Sequence, residues 1–299
     1  MNKITTSSFL PSAKNFSIIR GKTFVGIDFG TSTTVVSIAS YDDNNSLIHT
    51  NSLRLKQKLP DGTLYSSEII PSVIAWINNQ ILVGEGASQL KYQLKKGKNI
   101  WYSFKMELGE DLGAKYYESE LRDKAPFNIR NPKDAARVFF AYLKYLLSCY
   151  CQENNISNDI SYAVSIPASF EANQRKDLLD ALMANDMKVS KQALIDEPNA
   201  AFISYAVSRA SEGRPMFVNP DYNSKVLVFD FGGGTCDISI LEIGYSANGF
   251  FSKNIAISKF TRLGGDDIDR YITYHYLMPR FLDANGKKWS NFAQMRKNR

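Results

Sequence analysis

Two segments of this chain share one layout: VGIDFGTSTTVVSIA at 25–39 and LVFDFGGGTCDISIL at 227–241. Each starts as an apolar strand ending in aspartate, Asp28 or Asp230. Each then runs through Phe-Gly into a small polar turn with threonine and resumes as a strand. Glycine weakens a strand interior, so Gly30 and the run Gly232-Gly233-Gly234 imply that something must come close to the bare backbone. Taken singly, either segment is a tight hairpin with aspartate as a turn residue. Two matching D-F-G-x-x-T hairpins at the starts of two α/β units constrain the fold far more. They point to an internal duplication, hence two lobes with a cleft between them.

The rest of the chain fits that frame. SVIAWIN and QILVGEG read as a strand pair. NPKDAARVFFAYLKYLLSCYCQ reads as a helix, with Asn131 at the N-cap, Pro132 in the first turn and Asp134 at the positive end. ISYAVSIP reads as a buried strand. EANQRKDLLDALMAND reads as an amphipathic helix with Leu178, Leu179, Leu182 and Met183 on one side. ALIDEP is a short strand, and Pro198 opens a further helix. Ser211–Lys225 has the Gly, Pro and Asn content of a linker.

Composition narrows the function classes. The 299 residues suffice for a sizeable core. The net charge is +6, but the basic residues are scattered, and the densest groups, Lys95–Lys98 and Arg296–Arg299, read as solvated surface. No nucleic-acid partner is expected from them. No apolar run approaches the roughly 20 residues of a membrane span, so no membrane partner is expected either. Three cysteines, Cys149, Cys151 and Cys236, are too few and too odd for a disulfide framework and suit a reducing, cytoplasmic compartment. With only His49 and His275, histidine-based catalysis is poorly supplied.

The two turns carry the chemistry. Gly30-Thr31-Ser32 and Gly232-Gly233-Gly234-Thr235 can present backbone N–H groups to an anion, and phosphate uses several such donors best. Asp28, Asp230 and Asp237 beside them would repel phosphate unless a cation lies between. Mg²⁺, which binds through few carboxylates and keeps most of its waters, meets that need. No P-loop pattern and no G-x-G-x-x-G after a strand is present.

At this level the chain resembles the ATPase domain of the seventy-kilodalton heat-shock chaperones, within the superfamily of actin and the sugar kinases. GIDFGTSTTVVSI resembles the family's first phosphate loop and VFDFGGGTCDISIL the second. VSIPASFEANQR resembles its V-P-A-x-F-x-x-x-Q-R segment, LIDEPNAAFISYA its connecting segment, and RLGGDDIDRYI its L-G-G-x-D-x-D segment. IIPSVIAW, LVGEGASQ and SFKMELG match weaker signatures, in the right order. The last of these, with the P-A-x-F stretch, favours the chaperone branch over bacterial actin-like filament proteins.

The resemblance implies an α/β, actin-like ATPase fold of duplicated ribonuclease-H-like lobes that binds ATP or ADP with Mg²⁺. It implies that Asp28 and Asp230 hold the metal through water, with Glu197 orienting those waters and the attacking water. Lys105 approaches the γ-phosphate, and Asp237 lies near the attacking water. Thr31, Ser32, Thr235 and the neighbouring glycines contact phosphate, and Gly264 and Gly265 approach the nucleotide from the second lobe. Co-chaperones, nucleotide-exchange partners and client proteins are implied as partners.

The implied layout is a lead-in at 1–20, a first lobe at 21–215 with an upper subdomain at about 59–130, and a partial second lobe at 222–299. Nothing here matches the family's later adenosine-binding elements. The second lobe is therefore expected to be truncated, with Lys225–Asp230 as a bare edge strand and weak nucleotide binding. A non-hydrolysing actin-fold interaction module is the competing expectation.

Overall fold

The computed structural model describes residues 23–42, 47–110, 128–189, 193–212, 223–246, 249–258 and 263–288. The lead-in at 1–20 and most of the linker Ser211–Lys225 lie outside them.

Among the described residues fourteen strands form four sheets. The first and largest sheet contains β1 (Thr23–Phe29), β2 (Thr33–Asp42), β3 (Leu47–Ser52), β6 (Ile69–Pro71), β10 (Ile160–Ile166) and β11 (Leu194–Asp196). The order is β11-β10-β1-β2-β3, with β6 also pairing β2. β1 runs antiparallel to β2 and parallel to β10. Two further sheets are a hairpin of β4 (Leu55–Lys58) and β5 (Leu64–Ser67), and a small sheet of β7 (Val73–Ile77), β8 (Gln80–Val83) and β9 (Ile100–Tyr102). The strand pair expected over SVIAWIN and QILVGEG is β7 with β8.

β1 shows why the site sits where it does. Its residues alternate, so Val25, Ile27 and Phe29 are buried while Gly26 and Asp28 lie on the other face. The buried face meets α1 (Pro132–Glu153), which begins as expected: Asn131 caps it by accepting the backbone N–H of Asp134, and Pro132 occupies the first turn. Phe29, Phe104, Phe139 and Phe140 form an aromatic cluster with ring centroids 5.0–6.1 Å apart. All four are buried to 1% exposure or less. Each such ring contributes about 2–3 kcal/mol by leaving water. Phe29 joins Asp28 to Gly30, and Phe104 precedes Lys105, so this cluster fixes two candidate site residues from below.

α2 (Ala172–Met183) covers the same face through Leu178, Ala181 and Leu182. One sequence expectation is corrected here: Met183 is 64% exposed. At 100° per residue, positions 178, 181 and 182 share the inward stripe, and 183 turns past its edge. α3 (Glu197–Ser211) follows β11 directly and leads to the second sheet.

That sheet consists of β12 (Asn223–Phe231), β13 (Cys236–Ser246) and β14 (Gly249–Ile257), all antiparallel. The duplication is visible in its register. β1 and β2 last pair at Phe29 with Thr34, and β12 and β13 at Phe231 with Cys236. Both hairpins therefore close over four residues, 30–33 and 232–235. α3 packs on the face carrying Leu241 and Ile243, both fully buried. The opposite face is open: Leu227, Phe229, Phe231 and Ile238 are 64, 59, 40 and 37% exposed. Among the described residues β12 is an edge strand. α4 (Gly265–Ile272), a π-helical stretch (Thr273–Leu277) and α5 (Met278–Ala284) complete the described chain.

Candidate functional site

The two glycine turns face each other. In the first, Gly30 cannot carry a side chain, because a Cβ would overlap the carbonyl of Thr33. Ser72, just after β6, braces this turn: its hydroxyl donates to the Gly30 carbonyl at 2.8 Å, and its N–H donates to the Ser32 carbonyl at 2.9 Å. Thr34 and Ser72 hydroxyls share a further 2.9 Å bond. In the second turn, a Cβ on Gly233 would overlap the Ser32 hydroxyl, and one on Gly234 would overlap the Met106 sulfur and Thr31. The start of α4 then docks on this turn. Gly265 and Asp266 donate their backbone N–H groups to the carbonyls of Gly232 and Gly233, at 3.0 and 2.8 Å. Gly264 lies so close to the Gly233–Gly234 backbone that a side chain there would clash. Bare backbone is thus needed for the turns to meet one another as well as for any anion between them.

The acidic residues gather around one lysine. Lys105 Nζ donates to Glu197 Oε1 at 2.6 Å, and Lys105 is only 5% exposed. The pair joins the 3-10 turn Phe104–Glu107, which follows β9, to the start of α3 across 92 positions of sequence. Burial pushes the Glu197 carboxyl above its usual range, Lys105 pulls it back, and Asp28 and Asp230 push it up again. Asp230 is also raised, first by burial, then by the charge of Asp237, with Lys105 opposing and Asp28 adding to the rise. Asp230 and Asp237 oppose each other across β12 and β13. Like charges placed so are costly.

Two serines outside the anticipated set orient these aspartates. Ser165 on β10 donates to Asp28 Oδ1 at 2.6 Å, and Ser169 donates to the buried Asp237 at 2.7 Å. Both fall inside VSIPASFEANQR, so the segment was legible but the roles of its serines were not. In β10, Ser165 faces Asp28 because the two strands pair in parallel with these residues in register. Ser72 was missed for a similar reason: only the fold brings it under the first turn.

Lys105 bonds Glu197 and acts on Asp230, and Asp28 and Asp237 act on Asp230 in turn, so four carboxylates and one ammonium form a linked cluster. Among the described residues no three His, Cys, Asp or Glu side chains are close enough to bind a metal directly. The donor set still fits a hydrated divalent cation, which needs excess negative charge and few direct ligands. Thr31, Ser32, Gly232, Gly233, Gly234, Thr235, Gly264 and Gly265 line the two turns and the α4 start that docks on them. No helix among the described residues is long and apolar enough to cross a membrane. The family model described as "Hsp70 protein" matches residues 24–297.

Proposed function

This chain belongs to the Hsp70 family, and on that premise we propose that it is a Mg²⁺-dependent ATP hydrolase whose nucleotide state drives a conformational switch. Membership gives the actin-like ATPase fold and an ATP-binding domain of a chaperone family. The observation that carries the finer reading is the buried Lys105–Glu197 pair, 2.6 Å long and set among three aspartates.

In this reading the turns at 30–33 and 232–235 hold the β- and γ-phosphates. Asp28 and Asp230, with Glu197, would hold Mg²⁺. When bound, the metal neutralises phosphate charge. Glu197 aligns a water on the γ-phosphorus, while Lys105 offsets the charge that accumulates as the new P–O bond forms and the bond to the β,γ-bridging oxygen breaks. ADP and inorganic phosphate leave. Asp237, held by Ser169, keeps the far side of that water polar. Ser165 holds Asp28 facing the cleft.

The contact between the turns supports the switch. Ser32, Thr31 and Met106 touch the glycine turn of the second lobe, so a triphosphate entering there would part the turns and, in this reading, rotate the lobes. Co-chaperones, exchange partners and clients would read that rotation. Three free cysteines accord with a cytoplasmic setting.

The test is single-turnover hydrolysis and equilibrium ATP binding on the same protein. Lys105→Ala should slow turnover by about a hundredfold to a thousandfold, the range for losing one stabilising donor at developing charge. ATP affinity should barely change, because the lysine acts on the transition state. Near-normal turnover in the variant would remove Lys105 from the mechanism. ATP binding without turnover in the unaltered chain would favour the non-hydrolysing interaction module instead.

A further inference from the structure

β14 packs one face toward α3, and on that face an apolar strand is the physical expectation, since its register partners Leu241 and Ile243 are fully buried. Instead it places Ser252 and Asn254 there. They stand two residues apart and so share a face. Polar side chains at such positions are costly unless each finds a partner. Here each does, and the partners belong to the first lobe. Asn254 Nδ2 donates to Asp196 Oδ2 at 2.7 Å. Its Oδ1 accepts from Asn199 Nδ2 at 3.2 Å. Ser252 donates its hydroxyl to Asn199 Oδ1 at 2.5 Å. The second oxygen of Asp196 takes the Arg175 guanidinium at 3.0 Å.

The chain of bonds is directional. A carboxylate can only accept, so Asn254 must present its NH₂ to Asp196, which turns its oxygen toward Asn199. Asp196 ends β11 and Asn199 lies in the first turn of α3. Between them stands Glu197, whose carboxylate meets Lys105. We propose that Ser252 and Asn254 form an interlobe latch that positions Glu197: they grip the side chains of Asp196 and Asn199, which flank it in sequence, and hold α3 at one angle to the second sheet. Rotation of the second lobe has to break the latch, and doing so releases Glu197 from its alignment with Lys105. Asn254 and Ser252 are positioning residues here. Their effect on hydrolysis rests on the reading of Glu197 given above, whereas the latch itself does not.

The full chain tests this with Asn254→Ala, Ser252→Ala and the reciprocal double variant Asp196→Asn with Asn254→Asp. The readouts are amide exchange over 194–201 and 251–257, single-turnover hydrolysis, and ATP binding. Asn254→Ala should speed exchange in both segments, and slow turnover, by about tenfold, the scale of one charge-assisted hydrogen bond. ATP binding should change far less. The double variant keeps an amide facing a carboxylate, with donor and acceptor exchanged, and should recover most of the lost protection, while Asn254→Asp alone sets two carboxylates together and should not. Should Asn254→Ala fail to fold, Ser252→Ala removes one hydroxyl only and should show the same pattern more weakly. Unchanged exchange in the single variants, or a double variant no better than Asn254→Asp, would overturn the latch. Faster exchange with unaltered turnover would overturn its positioning of Glu197. If the unaltered chain hydrolyses no ATP, the hydrolytic reading fails, and the exchange data still decide on the latch.

Discussion

Asp230 shows what the site costs the protein. It lies opposite Asp237, and burial and that neighbour raise its carboxyl above the ordinary 3.8. A raised carboxyl means the folded chain holds its proton where the unfolded chain has released it. The stability this gives is fully present below the unfolded value and is lost as pH rises through the folded one. In metal-free protein, Asp230→Asn should therefore raise the melting temperature at neutral pH. The gap between variant and parent should close as pH falls toward 3.8. Thermal melts across that range check it, and an equal or larger gap at acid pH would contradict the sign. The same substitution should weaken nucleotide binding in Mg²⁺ more than binding of ADP without metal, because without the metal the carboxylate only repels phosphate. Parallel titrations decide, and equal losses would make Asp230 a structural residue. Glu197 shares the upward push, but its bond to Lys105 offsets part of it.

At the scale of elements, β12 differs from its counterpart β1. β1 lies between β2 and β10 and buries Val25, Ile27 and Phe29. β12 pairs with β13 alone among the described residues, and Leu227, Phe229 and, to a lesser degree, Phe231 are exposed. The rings of Phe229 and Phe231 lie parallel with centroids 6.2 Å apart. An exposed apolar edge of this kind templates pairing with other strands. Replacing Leu227 and Phe229 by lysine should reduce self-association and dye binding to exposed apolar surface. Because both side chains are more than half exposed, stability should change by no more than about 0.5 kcal/mol per substitution. Light scattering with denaturant titration measures both. Undiminished association would mean the chain self-associates through another surface.

Across the whole molecule the two halves are unequally consolidated. One continuous core of buried residues runs from β1 through α1 and α2 and includes Trp101, Phe104 and Leu108 beneath the site. The second sheet buries Leu241 and Ile243 against α3 and leaves its other face open. Local stability follows buried apolar contact. Amide exchange should accordingly be slowest in β1, β10 and α1 and markedly faster in β12 and β14. Equal protection of β12 and β1 in a monomer would show that the open face is covered in solution.

Local chemistry was enough to write the hairpins in advance. Strand, aspartate, glycine turn and strand depend on φ/ψ freedom and side-chain alternation within about fifteen residues, and both hairpins close with the same register. The cap of α1, the β7–β8 pair and the placing of Asp28 and Asp230 at the turns come from the same short-range rules. Met183 marks their limit, since a helix's period does not say where its inward stripe ends. The family resemblance pointed to Lys105 and Glu197, but their pairing across 92 positions depends on how the turn Phe104–Glu107, seated on the aromatic cluster, is brought to the start of α3. Ser72, Ser165, Ser169 and Asn254 carry no local signal of their partners, which lie 42, 137, 68 and 58 positions away. A hydroxyl or an amide will bond to whatever acceptor packing brings within about 3 Å. The sequence settled which segments are strands, turns and helices, because those are local choices of the backbone. Which polar groups meet was settled only by the packing of the lobes.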